Sequence, residues 1–207
     1  MRTIKISVLL ALSMLFVTSS FGKVRIGPSV GFNYSSLVQS GVDNDFKFGL
    51  KAGVTFDLGI AKFFSVVPEV NFSQMGWKYL GEGEHKGQSE TATLNYIQVP
   101  LNLVFKLKLG GNTRFLLFLG GYGAYAVSGN IKMDYGEGNT EKSKAPLGTN
   151  QGQINPLDIG LDAGLGFQVN KVSFKLQYNA GINSLNNTKT DAMLNCGFAM
   201  SLGFFFN

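Results

Sequence analysis

Cysteine and histidine are almost absent from this chain of 207 residues, which has one of each. Cys196 has no second cysteine to pair with, so no intrachain disulfide can form. His85 lies in the glycine-rich segment 81–90, and a catalytic set with Ser89 and Glu90 would need rigid geometry that such a segment does not provide. The same segment has no fixed ligand spacing for a metal. We therefore predict no catalytic residue, no cofactor and no metal site.

Charge is also scarce, at 15% of residues. The basic side chains are spread singly along the sequence, which is not the pattern of a nucleic-acid-binding surface, so no nucleic-acid partner is expected. Glycine (27 residues) and phenylalanine (18 residues) are abundant. This composition is typical of a protein that faces lipid on one side and a tightly filled interior on the other.

The apolar stretch near the start of the chain, Ile6–Val17, is too short to cross a membrane as a helix. It follows a charged start and precedes the small-x-small site Ser20–Gly22, which is the arrangement of a secretory signal. We predict that residues 1–22 are a signal peptide and that residues 23–207 form one domain. No cysteine lies near this cleavage site, so a lipid-anchored lipoprotein is not expected.

Alternation of apolar and polar residues is the strongest signal in the chain. Residues 46–58 alternate without a break, and this length fits the roughly 9 to 11 residues that a tilted strand needs to cross a bilayer. Similar segments recur, and the eight predicted strands are 24–34, 46–58, 64–79, 92–107, 114–128, 157–169, 172–183 and 192–206. The segment 114–128 is apolar on both parities, so the sequence does not assign its faces.

Long and short connections alternate between these strands. Polar loops at 35–45, 80–91, 129–155 and 184–191 are separated by turns at 59–62, 108–113 and 170–171. This asymmetry is typical of Gram-negative outer-membrane barrels. We predict an all-β, eight-stranded antiparallel up-and-down transmembrane β-barrel, monomeric and surrounded by outer-membrane lipid. Two aromatic girdles are expected, one toward the loops (Tyr34, Trp77, Tyr79, Tyr96, and Tyr178 or Tyr125) and one toward the turns (Phe63, Phe64, Phe115, Phe204, Phe205 and Phe206).

Charged residues of both signs occur on the polar parity of the predicted strands. An eight-stranded barrel has an interior only wide enough for side chains, so these charges are expected to form a polar network that closes the lumen. The turns predict a register that places Lys51 opposite Glu69 or Asn71 and Asp162 within one diagonal step of Lys175, and we expect Lys51 to pair with Glu69 and Asp162 with Lys175. The predicted lumen network comprises Lys51, Asp57, Glu69, Lys106, Asp158, Asp162 and Lys175.

The loop 129–155 carries a further signal. Ile131, Met133 and Tyr135 continue the alternation of the preceding strand past the expected membrane edge. We therefore predict a hairpin that projects outward and offers a sheet edge to a partner strand.

Three segments resemble one known family: 94–103 (LNYIQVPLNL), 158–164 (DIGLDAG) and 178–185 (YNAGINSL). Through them the chain resembles the PorT-like outer-membrane β-barrel proteins of Bacteroidetes over essentially all of residues 23–207. The resemblance implies an eight-stranded barrel, in a family of mostly unassigned role with one branch that serves protein secretion.

Three functions stay open at this point. The first is a non-enzymatic outer-membrane barrel that presents its extracellular loops to an unknown protein or surface ligand, in secretion or envelope assembly. The second is a barrel enzyme that modifies lipids of the outer leaflet, and the third is a soluble lipocalin-like carrier.

Overall fold

Antiparallel β-strands build the whole of the described structure. The computed structural model describes residues 23–39, 41–81, 87–136, 139–187 and 192–206. The signal peptide predicted for residues 1–22 lies outside them. The strands are β1 (Lys23–Val38), β2 (Asn44–Ala61), β3 (Phe64–Leu80), β4 (Ser89–Gly110), β5 (Thr113–Asp134), β6 (Thr140–Lys144), β7 (Leu157–Val169), β8 (Val172–Gly181) and β9 (Leu194–Phe204). Among these residues, no helix has the length and apolarity to span a membrane.

Eight of the strands close into a ring. Each strand of the order β1-β2-β3-β4-β5-β7-β8-β9 pairs with the next, and β1 pairs with β9 to complete the circle. Closure leaves no open edge along the ring, which is the condition for a sheet to span a bilayer. The predicted eight-stranded barrel is confirmed, and β6 is an additional strand that pairs with β5 outside the ring.

Successive side chains alternate between the inside and the outside of the ring. On β4, for example, Ile97 is 42% exposed whereas the neighbouring Gln98 is 1% exposed. The unassigned faces of β5 follow from its pairing with β4, because Lys106 lies opposite Leu116 and Gln98 opposite Ala124. The even-numbered residues of β5 up to Ala126 therefore face inward, and the register of the preceding turn was the signal that could have assigned them.

Aromatic pairs lie on the outer surface near both ends of the barrel. Tyr34–Phe46 and Tyr178–Phe198 lie toward the loops, and Phe64–Phe105 and Phe115–Phe167 lie toward the turns. The placement of three predicted girdle residues is wrong, because Trp77, Tyr96 and Phe205 are buried. Trp77 and Tyr96 share the inward parity of Ser73 and Gln98, and Phe205 packs inward against Arg25.

Strands β4 and β5 are 22 residues each, well beyond what a membrane crossing requires. β7 pairs with β5 only as far as Tyr125, whereas β4 accompanies β5 up to Asp134. The loop predicted as 129–155 therefore contains the end of β5 and the whole of β6. We call residues 74–80, 89–95, 128–134 and 140–144 of β3, β4, β5 and β6 the loop-end extension.

A β-bulge separates the extension from the ring. Asn95 lies opposite Ser128 and Tyr96 opposite Ala126, so Val127 is an extra residue on β5. An extra residue shifts the alternation of side chains by one, so odd-numbered residues beyond it point to the face that even-numbered residues occupy before it. Above the bulge the odd-numbered Gly129 and Ile131 turn toward the barrel axis, which the alternation alone did not reveal.

Candidate functional site: the charged lumen and the loop-end extension

The lumen contains a balanced set of buried charges. The seven predicted network residues are between 0% and 8% exposed, and Arg25 joins them at 8%. Sequence reasoning omitted Arg25 from the network, although its parity on β1, shared with Ser29 and Asn33, was the signal. The buried cations are Arg25, Lys51, Lys106 and Lys175, and the buried anions are Asp57, Glu69, Asp158 and Asp162. With four charges of each sign, these buried charges balance.

Near the turns, Asp57 connects three strands. Lys106 donates to both carboxylate oxygens of Asp57 at 2.7 Å, and Arg25, directly opposite on β1, forms an ion pair with the same carboxylate. Arg25 also donates to Gln168 Oε1 at 3.0 Å, and its guanidinium lies 4.7 Å from the centre of the Phe205 ring. Charge-assisted bonds of this kind tie β1, β2, β4 and β7 together.

Farther along the axis, Glu69 of β3 forms an ion pair with Lys175 of β8. These strands lie four steps apart in the ring in either direction, so the pair spans the lumen. Asn71 donates to the second carboxylate oxygen of Glu69 at 3.2 Å, and Lys175 Nζ lies 5.7 Å from the centre of the Phe118 ring. The contacts of this pair therefore cross-link opposite walls.

The pairings predicted from the turns are wrong. Lys51 lies opposite Ser73, because the turn between β2 and β3 is at residues 62–63, later than expected. Asp162 lies opposite Asn179, and Lys175 lies four residues before Asn179 on β8. Lys51 and Asp162 form no salt bridge within the described part of the chain. Their charges attract each other, Glu69 attracts Lys51, and Lys175 attracts Asp162.

Toward the loops, Asp158 is held by two neutral donors. The Tyr122 hydroxyl donates to Asp158 Oδ2 at 3.2 Å, and Asn195 Nδ2 donates to the same oxygen at 3.0 Å. The Tyr122 ring packs over Gly160, its direct cross-strand neighbour. Sequence reasoning missed both donors, since Tyr122 lies in the strand whose faces were unassigned and Asn195 is an uncharged residue.

The loop end of the lumen is covered. An apolar cluster fills the loop end, where Leu185 and Ala145 from two long loops pack with Trp77 and Leu94. Two cavities in the lumen measure ≈ 10 Å³ and ≈ 20 Å³. Each has room for about one water molecule. The space between the walls is therefore filled by side chains.

Chemical groups typical of a catalytic or metal site are sparse. His85 lies outside the described residues. Among the described residues, no group of three or more His, Cys, Asp and Glu side chains could hold a metal ion.

These features define a membrane-spanning β-barrel: a closed ring, an apolar outer surface and a polar, filled interior. The chain matches the family described as "Outer membrane protein beta-barrel domain" over residues 13–187 and belongs to that family. The protein is accordingly located in the outer membrane.

Several solved barrels have similar structures. The attachment invasion locus protein Ail of Yersinia pestis has a TM-score of 0.45 and 16% identity, covering 89% of this chain and 99% of Ail. The structure of Ail in complex with the heparin analogue sucrose octasulfate has a TM-score of 0.48 and 14% identity, and again covers 89% of this chain and 99% of Ail. Neisserial surface protein A has a TM-score of 0.45 and 9% identity, covering 86% of this chain and 96% of that protein. No curated protein matches the chain.

Proposed function

We propose that this protein is a non-enzymatic outer-membrane barrel whose filled lumen does not conduct, and that it binds a partner protein through the free edge of β6. The proposal agrees with the PorT-like resemblance, which suggests a role in secretion or envelope assembly. Its main support is the position of β6 at the end of the sheet order, where β5 is its only partner strand among the described residues.

The backbone of β6 presents hydrogen-bonding groups to the free edge. Ala145 N donates to Gly129 O at 3.0 Å, and Tyr135 N donates to Asn139 O at 3.0 Å. Because bonded pairs alternate in an antiparallel ladder, residues 141 and 143 also direct their N–H groups toward β5. The N–H groups of Thr140, Lys142 and Lys144 therefore point away from the sheet, where an added strand would accept them.

Side-chain charge defines the partner that fits this edge. All five residues of β6 are exposed, and lysines on an edge strand oppose indiscriminate strand pairing. An added strand with acidic side chains opposite Lys142 and Lys144 would turn this repulsion into favourable cross-strand pairs. We therefore expect the partner to contribute an extended segment with acidic residues.

Proline and alanine at one position test the edge directly. Lys142→Pro removes an N–H that faces the free edge and spares the β5–β6 ladder, whereas Lys142→Ala removes the same charge and keeps the N–H. We expect proteins that co-purify with the wild-type barrel from native envelopes to be retained by Lys142→Ala and lost from Lys142→Pro. Equal retention by the two variants, measured by quantitative mass spectrometry, would refute binding through this edge.

The two alternative functions, a soluble lipocalin-like carrier and a lipid-modifying enzyme, have less support. A lipocalin-like carrier needs an apolar cavity and a polar outer surface, and this barrel has the opposite distribution. A lipid-modifying enzyme needs a nucleophile and a base at the lipid-facing rim. His85→Ala tests that alternative: a change in the outer-leaflet lipids of cells carrying the variant would favour the enzyme, and unchanged lipids favour the binding role.

A further inference from the structure

The outward face of the loop-end extension carries a cross-strand row of lysines. Lys78 of β3 lies opposite Thr91 of β4, Thr91 lies opposite Lys132 of β5, and Lys132 lies opposite Lys142 of β6. The residues beside them in the chain, Trp77, Ala92 and Ile131, belong to the apolar cluster inside the barrel mouth. Since neighbours on a strand point to opposite faces, the lysine row faces away from the barrel axis.

The opposite face of the extension has the other sign. Tyr79 lies opposite Glu90, Glu90 opposite Met133, and Met133 opposite Glu141. The Tyr135 hydroxyl contacts Met133 Sδ at 3.3 Å and Glu141 Oε2 at 3.5 Å. The extension is therefore two-faced: Glu90 and Glu141 lie toward the barrel axis, and the lysines lie toward the surrounding membrane. Asp134 beside Lys132 and Asp45 opposite Lys78 are acidic residues of the lysine face.

The position of the lysine row along the membrane normal follows from the rows of side chains that lie closer to the membrane. Phe72, Ile97 and Tyr125 form an outward apolar row. Above them Gln74 Nε2 donates to Asn95 Oδ1 at 3.0 Å, and Asn95 Nδ2 donates to Ser128 Oγ at 2.9 Å. This polar ladder marks the edge of the lipid-facing belt.

The lysine row lies four residues above that ladder on β3, roughly 13 Å along the strand. A tilt of 35–45° reduces this to about 10 Å of height. Flexible lysine side chains can extend back toward the membrane over part of that distance. The row thus lies where the head groups of the outer leaflet are found.

The pairing of Lys132 with Lys142 is unfavourable by itself. Like charges directly opposite each other destabilise a sheet. Within the described residues, the nearest acidic partner of the row is Asp134, 3.8 Å from Lys132 Nζ, and both side chains of that contact are substantially exposed. An external anion that bridges the lysines would remove the repulsion.

We propose that Lys78, Lys132 and Lys142 bind the phosphate groups of an anionic outer-leaflet lipid. The charge complements a phosphorylated head group, the direction is toward lipid, and the height is that of the head-group layer. Lys144, opposite Asn130 on the same face, adds a fourth cation one row lower. A strand added at the free edge of β6 would place its side chains beside Lys142 and Lys144 on this face and leave Lys78 and Lys132 open to lipid.

The test compares one lipid with and without its phosphates. Purified full-length mature protein in detergent is mixed with bis-phosphorylated lipid A or with the same lipid after removal of both phosphates, and bound lipid is counted by native mass spectrometry. We expect the phosphorylated lipid to be retained at least about tenfold better. The variant Lys78→Gln/Lys132→Gln/Lys142→Gln should lose that preference.

A matched variant controls for overall charge. Lys62→Gln/Lys108→Gln/Lys171→Gln also removes three lysines, all of them exposed at the turn end, and should bind the phosphorylated lipid like wild type. Heat-dependent gel migration confirms that each variant is folded. Equal retention of the two lipids, equal loss in the two variants, or unchanged retention by the first variant would overturn the proposal. So would displacement of the lipid by a soluble sulfated polysaccharide at equal anion concentration.

Discussion

Glu69 and Lys175 form an ion pair although their strands, β3 and β8, lie on opposite walls of the barrel. An eight-stranded ring is narrow enough for a glutamate and a lysine to meet across its axis. The pair is almost completely buried, and the contacts of Asn71 with Glu69 and of Phe118 with Lys175 hold both partners. Such a pair acts as a transverse link between the walls.

A double-mutant cycle measures this link. Glu69→Leu leaves the buried Lys175 without its partner, and such a loss typically costs about 3 to 5 kcal/mol. The Glu69→Leu/Lys175→Leu double variant removes both charges and should be less destabilised than Glu69→Leu in urea unfolding. The matched cycle with Lys51 should show weaker coupling, because Lys51 forms no salt bridge with Glu69. Additive losses for Glu69 and Lys175 would contradict the link.

A pair of glycines tests the packing of the inner wall. A methyl group at Gly160 would overlap the Tyr122 ring and lie 2.5 Å from the Ala180 carbonyl oxygen, whereas a methyl group at Gly123 meets nothing within 4 Å. Gly160→Ala should therefore destabilise the barrel by roughly 1 to 3 kcal/mol. Gly123→Ala should be neutral or slightly stabilising, because alanine restricts the unfolded chain. Similar urea midpoints for the two variants would show that Tyr122 does not pack over Gly160.

The sequence predicted what depends on local alternation and missed what depends on contacts across the ring. Strict alternation at residues 46–58 and 157–169 located strands and assigned their faces, because the period of two is a property of the chain itself. The pairs Glu69–Lys175 and Asp57–Lys106 join strands that are not neighbours, so they depend on the diameter of the ring, which turn register does not describe. Counting residues across neighbouring strands therefore predicted Lys51 as the partner of Glu69, whereas in the structure the partner is Lys175 on the opposite wall.

Two further differences have local causes. Residues 114–128 are apolar on both parities because the inward positions Leu116 and Phe118 fill the lumen rather than face solvent. The hairpin predicted within 129–155 is present, but the bounds of its second strand, β6, were not predicted, because the sequence TEKSK has no apolar alternation and both of its faces are exposed. A strand without a buried face is stabilised by its neighbour, and its own pattern says little.

The start of the mature chain is a separate prediction. The small-x-small site Ser20–Gly22 predicts cleavage before Lys23. Intact-mass measurement on protein from native outer membranes should give the mass of residues 23–207. A mass that includes Met1 or any other residue before Lys23 would contradict the predicted site.

Ion conductance tests the filled lumen most directly. Two ion-pair clusters and the apolar cover formed by Leu185 and its neighbours occupy the lumen, and two cavities between the walls measure ≈ 10 Å³ and ≈ 20 Å³. Refolded wild-type protein in planar lipid bilayers should therefore show no steady conductance, in the same preparation whose unheated and boiled samples migrate differently on a gel. Steady single-channel conductance by that folded wild-type protein would contradict the closed lumen.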